Sequence, residues 1–123
     1  MTKTILVVED EKALSRAVKN SLEKNGFAVK TATTVEESLN IMKDSGDIDG
    51  VWLDHYLLGS LTGLDFLGEL RANMKWAEIP VFVVTNSVDD DKRLDYELFG
   101  INKYFVKSNT SLVEIVNYVK EVV

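Results

Sequence analysis

Cysteine is absent from the 123-residue chain, which excludes disulfides, thiolate metal sites and cysteine nucleophiles. Histidine is nearly absent as well. His55 stands alone, so neither a histidine-based triad nor a pair of histidine ligands exists within the chain. No apolar run approaches the roughly 18–20 residues that a membrane span needs, and Met1-Thr2-Lys3-Thr4 does not open a secretory signal. The chain is therefore expected in the cytoplasm and away from membranes. Basic residues are outnumbered: 14 Lys and Arg against 20 Asp and Glu leave a net charge of −6, without the basic face that nucleic-acid binding by this domain would want. Internal linkers, repeats and low-complexity tracts are also missing, and the length suits one compact domain over residues 1–123.

What is present is an alternation of short apolar runs with amphipathic stretches. Ile5-Leu6-Val7-Val8 is apolar throughout and reads as a buried central strand. Lys12 to Asn25 carries Leu14, Ala17, Val18, Ser21 and Leu22 on one helical face, and Gly26 suits its stop. Phe27 to Ala32 alternates as a strand does. Thr34 and Glu37 have capping-box spacing ahead of Val35, Leu39 and Met42. Gly50-Val51-Trp52-Leu53 is a third buried run and ends abruptly in Asp54. A loop with Gly59 and Gly63 leads to a helix bearing Leu64, Leu67 and Leu70. Pro80 opens the strand Val81-Phe82-Val83-Val84, which stops at Thr85. Asp89 to Asp91 lie at the start of a helix that ends at Gly100, where the helix dipole favours acids. Tyr104-Phe105-Val106 is the fifth strand and ends at Lys107. Leu112, Ile115, Val116 and Val119 mark the last helix.

Strands separated by helices run parallel, because each helix carries the chain back to begin the next strand. The expected fold is α/β: a doubly wound, five-stranded parallel sheet in the order 2-1-3-4-5, flavodoxin-like, with its switch point between strands 1 and 3. Ligands in such sheets sit at the carboxyl ends of the strands. Those ends read Glu9-Asp10-Glu11, Asp54, Thr85 and Lys107. Clustered carboxylates repel one another, and a hard divalent cation relieves them. A lysine ammonium and a threonine hydroxyl facing the cluster suit the oxygens of a phosphoryl group. Together these are the parts for phosphoryl transfer onto an aspartate.

Four segments in this order closely resemble the receiver domains of two-component response regulators, including the stand-alone chemotaxis type. They are Ile5 to Glu11, Val51-Trp52-Leu53-Asp54, Ile79 to Thr85, and Tyr104-Phe105-Val106-Lys107. The resemblance implies Asp54 as phosphoacceptor and Asp10 as a direct magnesium ligand, with Glu9 supporting it through water. It implies the backbone carbonyl of Tyr56 as a further ligand, Lys107 as the partner of Asp54 and then of the phosphoryl group, Thr85 as the switch hydroxyl, and Tyr104 as the aromatic that follows it inward. The phosphoryl donor is then a sensor histidine kinase or a histidine phosphotransfer protein. Output is expected through the fourth helix, fifth strand and fifth helix, around Leu98, Lys103 and Tyr104, onto a downstream protein or a second copy of the chain. Catalysis on other molecules is not expected.

The chain departs from the family's pattern around the site. Ser108 replaces the usual proline after Lys107, Asn86 is larger than the usual residue after Thr85, and Tyr56-Leu57-Leu58-Gly59-Ser60 replaces the usual proline-containing loop. A trans Lys107–Ser108 bond is expected, since cis costs roughly 2.5–4 kcal/mol without proline. Plainer readings exist for single residues: acids after strand 1 cap a helix, and Lys107, Thr85 or Tyr104 taken alone merely end or fill a strand. His55 is read as an exposed loop residue, Trp52 as core, Trp76 as partly exposed, and Asp89 to Asp91 as a solvated helix start. Rival functions on this topology are a pseudo-receiver that binds protein without phosphorylation, a flavin binder and an aspartyl-phosphate phosphatase. The intact charged set opposes the first. Glu9-Asp10-Glu11 opposes the other two, because it would repel a flavin phosphate and is not an Asp-x-Asp nucleophile motif.

Overall fold

The computed structural model describes residues 2–123. The elements are β1 (Thr4–Val8), α1 (Lys12–Lys24), β2 (Ala28–Ala32), α2 (Val35–Ser45), β3 (Gly50–Leu53), α3 (Gly63–Ala72), β4 (Val81–Thr85), α4 (Asp90–Phe99), β5 (Lys103–Val106) and α5 (Leu112–Val122). All strand pairs are parallel and the order is β2-β1-β3-β4-β5, as the alternation of runs required.

The apolar strands divide their side chains between two cores, because successive residues of a strand point to opposite faces. Leu6, Val8, Val51, Leu53, Val81 and Val83 pack with Val35, Met42, Phe66, Leu67, Leu70 and Tyr96 under α2, α3 and α4. Ile5, Val7, Trp52, Phe82, Val84 and Phe105 pack with Val18, Leu22, Ile115, Val116 and Val119 under α1 and α5. Both faces of the central strands are thus buried, which is why their sequences show no polar alternation. Within α1 the buried stripe is Ser15, Val18 and Leu22, while Ala17 faces outward.

Capping fixes where the helices begin. The Thr34 hydroxyl accepts from Glu37 N at 3.1 Å, but the Glu37 carboxylate reaches Thr33 N at 2.7 Å rather than the cap residue's own amide. The complete reciprocal box lies at α3, between Thr62 and Asp65. Asp89 caps α4 by accepting from Asp91 N and Lys92 N, and the exposed Asp90 and Asp91 fill its first turn. The amide order of the sheet does the rest. Val8 pairs with Leu53, and Thr85 pairs with Val106, so the residues that follow these pairs emerge side by side at one end.

Candidate functional site

Glu9 and Asp54 leave β1 and β3 in register: Asp54 N donates to Val8 O at 3.0 Å, and Glu9 N to Ala32 O at 3.0 Å. The main chain therefore delivers two carboxylates into adjacent positions, and both are buried, at 1% and 4% exposure. Lys107, leaving β5, bridges them. Its Nζ donates to Glu9 Oε1 at 2.6 Å and to Asp54 Oδ2 at 2.8 Å. Asp10, half-buried, completes a group in which Glu9, Asp10 and Asp54 each offer an oxygen within 4.8 Å of the others.

The electrostatics of this cluster are unbalanced. One ammonium faces three carboxyl groups, and Asp54 Oδ1 is buried without a hydrogen-bond partner. The Glu9 carboxyl is pushed up from the ordinary 4.5 to about 7. Burial is the main cause, and Asp54 and Asp10 add to it, while Lys107 and the Glu11 amide hold it back. Burial works against the Lys107 ammonium, but its hydrogen bonds and charge pairing with Asp54 and Glu9 outweigh that and raise its pKa. An all-oxygen donor set, excess negative charge and an orphaned buried carboxylate oxygen fit a hard divalent cation.

Thr85 is fully buried at the end of β4, and its hydroxyl lies 3.4 Å from Ser87 N. Tyr104 is turned inward: it is 6% exposed and donates its hydroxyl to Ser87 O at 2.8 Å. It is thus not part of the outer surface, unlike Leu98 and Lys103, which are exposed. Tyr56 projects outward, with its hydroxyl 3.1 Å from Lys92 Nζ. The described backbone contains no cis peptide, so the Lys107–Ser108 bond is trans, within a single 3₁₀ turn over Lys107–Asn109.

His55 corrects the sequence reading. It is buried at 7% exposure rather than exposed, and its Nδ1 lies 2.7 Å from the hydroxyl of the fully buried Tyr96. Burial and the nearby Lys92 charge lower its pKa, against Asp54 and Asp65. Sequence reasoning also missed Tyr96, the second Lys107 partner Glu9, and the need for Gly63. Its amide donates to His55 O at 2.9 Å, and a Cβ there would fall 2.3 Å from Asp54 O. A signal for Tyr96 existed in principle, as the one tyrosine in a helix otherwise dominated by charge.

The family model for the response regulator receiver domain matches residues 5–120. The chain belongs to the response regulator receiver family. As a receiver it catalyses only its own phosphorylation and dephosphorylation. The chemotaxis protein CheY of Pseudomonas aeruginosa is 31% identical over 109 residues, covering 89% of this chain and 87% of that protein. The phosphorylated cyanobacterial phytochrome response regulator RcpA superposes with a TM-score of 0.84 at 25% identity, covering 99% of this chain and 91% of that one. A manganese-bound response regulator, Rcp1, shares the fold with a TM-score of 0.82 at 24% identity, covering 98% and 93%. This receiver's acidic cluster is of the kind that takes a divalent metal for phosphorylation. No helix among the described residues is long and apolar enough to cross a membrane.

Proposed function

We propose that Asp54 accepts a phosphoryl group from the phosphohistidine of a sensor kinase or histidine phosphotransfer protein, with magnesium as the working cation. The observation that carries this reading is the buried Asp54 carboxylate, with one oxygen on Lys107 and the other unpartnered. Asp10 and Asp54 would hold the metal, with the Tyr56 carbonyl as a backbone ligand and Glu9 supporting through water. When bound, magnesium supplies positive charge to the phosphoryl oxygens. An Asp54 oxygen forms the new O–P bond as the P–N bond to the donor histidine breaks, and the donor's ring nitrogen keeps the electron pair. Lys107, already placed by two ion pairs, then turns its ammonium to the transferred group. Thr85 and Tyr104 form the switch, and the surface of α4, β5 and α5 meets a downstream protein or a second copy. Exposed Leu94, Leu98 and Phe99 on α4 support that surface. A cytoplasmic location belongs to the same reading.

Intact-mass spectrometry after treatment with a small-molecule phosphodonor tests the acceptor. Wild type should gain one phosphoryl mass only with magnesium, and Asp54→Ala should gain none. Unchanged labelling of Asp54→Ala would remove Asp54 from this role.

A further inference from the structure

The two residues that follow Asp54 are both held by one helix. His55 Nδ1 meets the Tyr96 hydroxyl at 2.7 Å in a buried setting. Tyr56, beside it, receives Lys92 Nζ at 3.1 Å from its hydroxyl and 5.0 Å from its ring centre. Lys92 and Tyr96 are one turn apart on α4 and so share a face. From behind, Gly63 N holds the His55 carbonyl at 2.9 Å. A Cβ on Gly63 would lie 2.3 Å from Asp54 O and 2.7 Å from the Tyr96 hydroxyl. The end of β3, the start of α3 and the middle of α4 therefore converge on the Asp54–His55 peptide with no room for a methyl group.

We infer that His55 and Tyr96 are positioning residues for the metal site. Their buried hydrogen bond fixes the main chain from Asp54 to Tyr56 against α4, which sets the affinity for the divalent cation and ties that affinity to the placement of α4. The inference rests on the proposed use of Asp54 and the Tyr56 carbonyl as ligands. Neither His55 nor Tyr96 is bonded to the carboxylates, so each acts through the backbone it holds. Removing one partner leaves the other buried and unpaired, which favours a shifted loop over the present one. Outer partners that orient metal ligands commonly change affinity by ten-fold or more when removed. The Thr85, Ser87 and Tyr104 contacts run through the loop between β4 and α4, whereas this link joins α4 to the loop after β3, so the two can be broken separately.

The test is a magnesium titration of metal-free protein followed by two-dimensional amide NMR, which reports affinity and the response of α4 together. Thermal melts establish that each variant is folded at the titration temperature. Tyr96→Phe removes one hydroxyl and keeps the ring, His55→Leu removes the ring nitrogens, and His55→Asn returns a polar atom near the Nδ1 position. Tyr96→Phe and His55→Leu should each weaken magnesium binding by about ten-fold. The double variant should be no worse than the weaker single, because both remove the same bond. His55→Asn should stay close to wild type, as should Tyr118→Phe, which removes a hydroxyl bonded to Asn102 O at the far end of β5. Amides of α4 should shift on magnesium addition in wild type and not in Tyr96→Phe. Wild-type affinity in folded Tyr96→Phe and His55→Leu overturns the inference. An equal loss in Tyr118→Phe also overturns it, since a general loosening would then explain the effect. If wild type itself takes up no magnesium, the proposed function fails and this inference with it, whereas a loss confined to the two variants supports both.

Discussion

At the amino end of the strands, Arg71 donates to four backbone carbonyls: Gly100 from Nε and Nη2, and Trp76, Ala77 and Ile79 from Nη1. Asp49 accepts from Thr4 N at 2.8 Å, and Asn102 from Val81 N at 3.1 Å. At the carboxyl end, one lysine faces three carboxyl groups, and an Asp54 oxygen is left without a partner. Both ends belong to the same five strands. One satisfies its polar groups with side chains of the chain itself, and the other leaves a deficit that an external cation and a phosphoryl group can fill. Violations of packing and pairing rules that survive in a folded protein concentrate where function needs them.

The largest effect is expected at the satisfied end, which Arg71 holds together. Arg71→Ala strips the partners from carbonyls on two loops and should cost roughly 2–4 kcal/mol, read from urea denaturation. Arg71→Lys should recover little, because an ammonium cannot reproduce the fork that serves Gly100 and the 76–79 turn together. A loss below about half a kcal/mol would mean this end is not built on Arg71.

At the other end, Gly63→Ala should follow in size. The added methyl meets the Asp54 carbonyl and the Tyr96 hydroxyl, one of them main chain, so something must move. Overpacking of this kind typically costs about 1–3 kcal/mol. The distinguishing outcome is that phosphodonor labelling of Asp54 slows as well, which Arg71→Ala should not cause while folded.

A smaller effect of opposite sign is expected from removing charge at the deficient end. Asp10→Asn should raise the melting temperature of the metal-free protein and abolish most of the stabilisation that magnesium gives wild type. Equal magnesium-induced shifts in both proteins would place the cation elsewhere.

The smallest effect is in the pH dependence of the metal-free protein. Glu9 titrates at about 7 when folded, against the ordinary 4.5, so the folded state holds a proton that the unfolded state releases. Its contribution is complete below about 4.5 and is lost as pH rises through about 7. His55 works in the opposite sense. Its folded pKa lies below 6.5, so its contribution is present above 6.5 and lost as pH falls. Glu9→Gln should therefore lose more stability than wild type between pH 7 and pH 5, followed by denaturant midpoints. Parallel curves would contradict the assignment.

How much of this was legible in the sequence differs between the fold and the site. Ile5 to Val8 and Val51 to Leu53 declare themselves because a strand buried on both faces has no place for polar residues. Glu9, Asp10, Asp54 and Lys107 follow from them, since a parallel sheet brings its strand ends together wherever the helices lie. The partners within the site were harder. Lys107 reaches Glu9 as well as Asp54, which depends on side-chain paths that no spacing records. His55 reads as an exposed loop residue because it stands beside Asp54, just past the end of a strand run, yet the turn after β3 sends its ring inward to Tyr96. Gly63 resembled any loop glycine until three segments were seen to meet at it. Local pattern reports the burial of apolar strands well, but not the burial of a lone polar residue or which buried polar atoms find each other.

The proposed role of the excess negative charge at the carboxyl end is to put a phosphoryl group on Asp54. Borohydride reduces an aspartyl phosphate to homoserine and leaves free aspartate untouched, so tandem mass spectrometry after phosphodonor treatment locates the acceptor residue by residue. Homoserine is expected at position 54 alone, dependent on magnesium and absent from Lys107→Ala or strongly reduced in it. Homoserine at position 10, or none anywhere in folded, magnesium-loaded protein, would contradict it.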